Sequence, residues 1–135
     1  MGRLYIETAQ ENGRTVVKDS FFTSPFKITK PFERGGGAEI MIMQASAGIL
    51  EGDSHEMEFN IRSGSSVIIT GQSYTKLFRM EKGRAEQKVK IRVEKGASLC
   101  YLPCPVIPFA DSEFLGRNEI YLEKGARFAM QDILA

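Results

Sequence analysis

The feature that most constrains the fold of this chain is a short unit that occurs three times. Ile61-Arg62-Ser63-Gly64-Ser65-Ser66-Val67, Val93-Glu94-Lys95-Gly96-Ala97-Ser98-Leu99 and Leu122-Glu123-Lys124-Gly125-Ala126-Arg127-Phe128 share one form: an aliphatic strand end, two polar residues, a glycine, a small residue and a new strand. The glycines fall 32 and 29 residues apart. Glycine reaches the positive φ that a tight reversal demands, and a spacing of about 30 residues gives each unit one pair of strands that must stack on its neighbours. The expected fold is all-β, with strands stacked in two layers as a β-helix or solenoid-like sandwich.

The hydrophobic pattern agrees. From His55 to Arg62, Met57, Phe59 and Ile61 alternate with Glu56, Glu58, Asn60 and Arg62. From Lys88 to Val93, Val89, Ile91 and Val93 alternate with Lys88, Lys90 and Arg92. Period-two alternation puts one apolar and one solvated face on a strand, and is read here as half-buried antiparallel pairing. Ile40-Met41-Ile42-Met43 and Val67-Ile68-Ile69 are apolar without alternation, which predicts strands covered on both faces. Further strands are expected near Leu4 to Thr8, Thr15 to Asp19, Lys76 to Met80, Ser98 to Leu102, Asn118 to Leu122 and Arg127 to Asp132. No segment carries a capped helical stripe, so helix content should be very small. Asn12-Gly13 signals a hairpin, and Gly35-Gly36-Gly37 reads as a flexible loop. Pro103 to Pro108 holds three prolines in six residues and is expected to cross outside any ladder.

Length and composition exclude several classes. At 135 residues, with 42% hydrophobic and 26% charged side chains, the chain fits one globular domain, residues 1–135, rather than a disordered tail. Eighteen Lys and Arg against seventeen Asp and Glu leave a net charge of +1, which supplies no basic field for nucleic acid. No secretory leader, membrane-length apolar run or myristoylation signal is present, so a soluble cytoplasmic protein is expected. Cys100 and Cys104, spaced C-x3-C, are expected to be reduced buried thiols, because zinc wants four ligands and the sole histidine lies far off. That histidine, His55, follows Gly52-Asp53-Ser54 and reads as a surface side chain at a turn, with metal ligation as the alternative. Nucleophile-elbow, Walker, Rossmann, EF-hand and HExxH patterns are absent. One histidine leaves few routes to a Ser-His-Asp or Cys-His centre, so an enzyme is the weaker reading.

Two polar segments are flanked by apolar strands, one around Ser46 to Asp53 and one from Thr70 to Arg79. Gly48-Ile49-Leu50-Glu51-Gly52-Asp53, Thr70-Gly71-Gln72-Ser73-Tyr74-Thr75-Lys76-Leu77-Phe78-Arg79, Gln87, Gly96-Ala97-Ser98-Leu99-Cys100-Tyr101-Leu102-Pro103 and Ile107-Pro108-Phe109 occur in order. With Phe21-Phe22-Thr23-Ser24-Pro25-Phe26-Lys27 they resemble the successive signatures of the urease accessory protein family UreD, also called UreH. Each motif alone is weak; five in order with family-like spacing are specific. The chain departs from the family at Tyr101, where a tryptophan is common, and at Cys104, where a glutamine is usual. It also stops at Ala135, where members continue, and is therefore expected to be the amino-terminal part of a longer chain.

What the resemblance implies is a non-catalytic scaffold that binds apo-urease on one side and UreF on the other. UreF in turn recruits the nickel-carrying GTPase UreG, and nickel passes through the scaffold in transit rather than as a resident cofactor. Carried over by motif, Asp53, Thr75 and Asp132 are the candidate passage residues. Each has a plainer alternative: Asp53 can cap its turn, Thr75 can be an ordinary strand residue, and Asp132 can face solvent. Oxygen donors suit an ion that must be released, since thiolates or several imidazoles would hold it.

Two other classes remain in view. A stand-alone β-sandwich binding a small ligand or sugar would want clustered surface aromatics, and this chain has no Trp and four scattered Tyr. Metal-dependent hydrolysis would need three protein ligands and an open position, which the sequence does not assemble. The last expected strand, Arg127 to Asp132, has few charges and no proline, so self-association through its edge is also expected.

Overall fold

The computed structural model describes residues 2–23, 26–29, 31–44, 54–71, 75–77, 85–103, 106–108 and 114–130. These form strands and connecting turns, with no helix among them. In chain order the strands are β1 (Gly2–Glu11), β2 (Arg14–Phe22), β3 (Phe26–Ile28), β4 (Phe32–Arg34), β5 (Gly37–Gln44), β6 (Ser54–Ile61), β7 (Ser66–Gly71), β8 (Thr75–Leu77), β9 (Ala85–Val93), β10 (Ser98–Leu102), β11 (Val106–Pro108), β12 (Phe114–Leu122) and β13 (Arg127–Met130).

One sheet has the order β12-β9-β6-β1-β2. The facing sheet runs β13-β10-β7-β5-β3, with β4 also on β5, and β8 and β11 form a separate ribbon. Each repeated unit spans the two large sheets, giving the rungs β6/β7, β9/β10 and β12/β13. The two-layered stack expected from the glycine repeat is the fold observed.

The repeat glycines do the work expected of them. Gly64, Gly96 and Gly125 sit at φ of 77°, 71° and 80°. The amides of Ser65, Ala97 and Ala126 each donate to the carbonyl three residues back, at 3.0–3.1 Å. A positive φ confined to the third residue makes these type II turns, for which glycine is the favoured occupant. The turns stack as well: Glu94 N–H donates to the Ile61 carbonyl at 2.9 Å, and Glu123 N–H to that of Val93 at 3.0 Å.

Because each turn sends the chain to the other sheet, equivalent strands run the same way. β1–β6, β6–β9 and β9–β12 are parallel, as are β5–β7, β7–β10 and β10–β13. This corrects the antiparallel reading of the alternating strands. Parallel sheets usually read as continuous apolar runs because both faces are covered. A stacked solenoid leaves the outer face solvated, so its parallel strands alternate like antiparallel ones.

The core lies between the sheets in register rows. Ile6, Phe59 and Ile91 are paired neighbours with no exposed surface, and Ile40, Ile69 and Tyr101 face them from the other sheet. Burying a side chain of this size contributes about 1.5–3 kcal/mol. The runs at 40–43 and 67–69 are covered fully on one face only: Ile40, Ile42, Val67 and Ile69 are buried, while Met41, Met43 and Ile68 are half-buried.

Other expectations are corrected in detail. Asn12-Gly13 is the hairpin turn predicted, with φ of 52° and 74°. Gly35 and Gly36 are not a loose loop but a second two-residue turn, at φ of 54° and 87°, closing Arg34 onto Gly37. Val106 to Pro108 does enter a ladder, pairing in parallel with Thr75 to Leu77. Three residues at the end of the proline segment suffice for that short ribbon. Cys100 is free and half-buried rather than fully buried, and Cys104 lies outside the described residues.

Candidate functional site

Topology places the motif-bearing connections at one end of the stack. β5, β7, β10 and β13 all run away from the glycine turns, and the chain leaves β5 at Gln44, β7 at Gly71 and β10 at Leu102 before returning to β6, β9 and β12. The ribbon of β8 and β11 joins two of these connections. Thr75 opens β8 and is the register partner of Val106. Asp53 and Asp132 lie outside the described residues. Their nearest described neighbours, Ser54 at the start of β6 and Met130 at the end of β13, are at the same end of the stack.

Beneath this end sits an aromatic cluster. His55 is buried, with 4% of its surface exposed, and its ring meets Phe26 edge-on at 4.9 Å. The surface reading of His55 is therefore corrected. It is in phase with Met57, Phe59 and Ile61 on the inward face of β6, a signal the alternation already carried. Tyr101 meets Phe59 at 5.1 Å, and its hydroxyl donates to Met57 Sδ at 3.9 Å. Edge-to-face pairs of this kind add about 0.5–1.5 kcal/mol beyond area burial and fix ring orientation. Among the described residues, no group of three or more His, Cys, Asp or Glu is placed to hold a metal ion.

The two outer faces differ in chemistry. On the first sheet, β6 presents Glu56 and Glu58 beside Lys88, Lys90 and Arg92 of β9, with Glu119 and Tyr121 of β12 beyond. Cross-strand pairs lace this face: Arg3–Glu56 at 3.7 Å, Lys88–Glu119 at 3.5 Å, and Lys90 over the Tyr121 ring at 5.9 Å. An open depression of about 390 Å³ lies here, its rim including Arg3, Tyr5, Phe21, Glu58 and Lys90. On the facing sheet, the outward positions include the apolar Met41, Met43, Ile68, Cys100 and Leu102 together with the charged Lys27, Glu39 and Arg127.

A polar network at the glycine turns was not anticipated. Arg62 reaches Glu7 Oε2 at 2.7 Å and Glu94 at 3.5 Å, tying three consecutive strands together. The hydrogen bond and charge of Glu7, with that of Glu94, hold the Arg62 guanidinium above its ordinary range. Ser63 N–H donates to Glu94 Oε1 at 3.2 Å, and Lys95 N–H to Glu123 Oε1 at 3.0 Å. The recurrence of Glu two residues before Gly96 and Gly125 was the available signal.

Fold and site together define an all-β stack of repeated strand pairs, an architecture that presents extended surfaces. The comparisons with known proteins then narrow the class. The model of the UreD urease accessory protein family matches residues 1–135. Urease accessory protein UreD of Acetivibrio thermocellus is 45% identical, covering 98% of this chain and 52% of its own length. Urease accessory protein UreH of Helicobacter hepaticus is 37% identical over 91% of this chain and 49% of its own length. Urease accessory protein UreD 2 of Streptomyces griseus is 34% identical over 99% and 47%. The chain belongs to the UreD urease accessory protein family. It spans about half the length of the curated relatives it matches. Those relatives are named as accessory proteins, not as enzymes. Among the described residues, no helix is long and apolar enough to cross a membrane.

Proposed function

We propose that this chain serves urease maturation in the cytoplasm as a non-catalytic scaffold. In this reading residues 1–135 are one β domain, the amino-terminal part of a longer protein, that binds apo-urease and UreF and, through UreF, UreG. Membership of the UreD family carries the proposal. What supports it in the structure is the outer face of the first sheet, where cross-strand ion pairs such as Arg3–Glu56 and Lys88–Glu119 offer a charged surface to a protein partner.

Nickel is the cargo in this reading, passed along rather than kept. Asp53, Thr75 and Asp132 are proposed to meet it as oxygen donors, which exchange the ion more readily than thiolate or multiple imidazole ligands. Asp53→Asn keeps the shape and most of the turn-forming capacity of the side chain while removing its charge. Introduced into the longer protein in cells, it is expected to lower the nickel content of urease while leaving the melting temperature unchanged. Normal nickel loading rejects the passage role. Pull-downs should recover UreF and apo-urease; recovery of neither, together with turnover of an ester or glycoside, rejects the scaffold.

A further inference from the structure

The depression on the outer face of the first sheet is a trough between two rows of side chains that run across the strands. Arg3, Glu56 and Lys88 are in register and make one wall. Phe21, Tyr5, Glu58 and Lys90, again in register, make the other. Between them the floor is reached at Leu4 and Met57, which are buried. Neighbouring strands lie about 4.8 Å apart, so adjacent members of a wall can touch the same bound side chain.

The charges of the first wall are answered within the sheet. Arg3 pairs with Glu56 at 3.7 Å and Lys88 with Glu119 at 3.5 Å. The second wall differs. Lys90 lies over the Tyr121 ring at 5.9 Å. Glu58 is its register neighbour, yet among the described residues Glu58 is in no ion pair. On its other side Glu58 is followed by Tyr5 and then by Phe21, which is 53% exposed. A carboxylate without a counter-charge thus stands beside two aromatic side chains, at the rim of an open trough of about 390 Å³.

We propose that this part of the trough is a docking site for an arginine side chain of a protein partner. The Glu58 carboxylate accepts the guanidinium N–H groups, and the rings of Tyr5 and Phe21 receive the flat face of the cation. Guanidinium suits such a site better than ammonium, because it is planar, presents paired donors to a carboxylate and stacks on aromatic rings. An acidic side chain fits less well: Lys90, the cation it would seek, is already held over Tyr121, and Glu58 would repel it. The inference rests on the scaffold reading for the existence of a protein partner, and adds to it the face and the chemistry of contact.

The test has two arms, one for the site and one for the reading beneath it. In the first, the isotope-labelled 135-residue chain is titrated with acetyl-Gly-Arg-Gly-amide while its amide NMR signals are followed. Tyr5, Phe21 and Glu58 should shift together, the lysine peptide should bind more weakly, and the glutamate peptide should leave these signals in place. Glu58→Gln alters only an exposed side chain, so the spectrum should stay folded while affinity for the arginine peptide falls roughly 10-fold. Phe21→Leu keeps an apolar side chain without the ring and should weaken binding about 3-fold. Glu56→Gln, whose carboxylate is taken by Arg3, should change affinity by less than about 2-fold. Equal binding of the arginine and lysine peptides, shifts centred elsewhere, or unchanged affinity in Glu58→Gln overturns the proposal. If the 135-residue chain gives no dispersed spectrum, the same titration on the longer protein decides. In the second arm, pull-downs with the longer protein should lose apo-urease or UreF on Glu58→Gln but not on Glu56→Gln. Retention of both partners by Glu58→Gln overturns the site and leaves the scaffold standing. Capture of neither partner by the unsubstituted protein, with the arginine peptide still bound at Glu58, supports the site and rejects the scaffold alone.

Discussion

At one end of the stack, β1 is covered by β2 and β5 by β3 and β4, all through antiparallel pairs, two of them closed by two-residue turns. The outer strand β2 is bulged, because its register slips at Lys18 between the partners of Glu7 and Thr8, and it bears Arg14, Lys18 and Asp19. Lys18 is paired with Glu11, whose hydrogen bond and charge raise the lysine above its ordinary range. Bulges and charges discourage an edge strand from recruiting another chain. At the other end, β12 and β13, the last described strands, repeat the pattern of the rung beneath them. The contrast teaches that the repeated unit stacks in parallel, whereas the edge at β2 is made by a different local structure, a hairpin.

Paired substitutions turn that contrast into numbers. Ile91 and Ile120 are register partners of the same type, one without exposed surface and one 39% exposed. Ile91→Ala should destabilise the chain by about 2–5 kcal/mol in urea unfolding, as a large-to-small change in a packed core does. Ile120→Ala in the same chain should lower stability by less than about 1 kcal/mol. Similar losses at both sites would mean that the β12 rung is already covered.

A smaller effect is expected at the turns. Gly64→Ala imposes left-handed backbone strain of about 1–2 kcal/mol, and the new methyl group would also run into the Gln10 side chain. Gly125→Ala carries the same strain, but its Cβ makes only ordinary contact with the Gly96 amide nitrogen. Thermal melts should rank Gly64→Ala below Gly125→Ala; the reverse order would show that the third turn is the more constrained.

The smallest effect is a gain. Ser65 is buried at the first turn with its hydroxyl unpartnered, while the equivalent positions of the later turns are Ala97 and Ala126. Ser65→Ala removes a desolvated hydroxyl and should stabilise by about 1 kcal/mol. A loss on substitution would indicate a bond to that hydroxyl that the present geometry does not contain.

Strand positions were legible because period-two alternation and glycine at positive φ are local properties, written into neighbouring residues. Met57, Phe59, Ile61, Val89, Ile91 and Val93 are buried as the pattern requires. His55 was misjudged because the glycine and aspartate before it outweighed its phase with Met57. The candidate site was legible mainly as order along the chain: Thr75 falls in a short strand at the motif-bearing end, while Asp53 and Asp132 lie outside the described residues.

By itself, the sequence determined that the chain is all-β, that it repeats at its glycine turns, and which aliphatic residues of the alternating strands turn inward, since each of these follows from conformational preference and hydrophobicity within a few residues. Only the tertiary structure decided that like strands run parallel, that His55 joins Phe26 in the core, that Arg62 gathers Glu7 and Glu94, and that β1 and β5 are flanked by antiparallel strands. Those outcomes depend on which strands meet across 28 to 55 residues of chain, the upper figure being that of Arg62 and Glu7. No local pattern carries that information, because pairing partners are chosen by the packing of whole rungs.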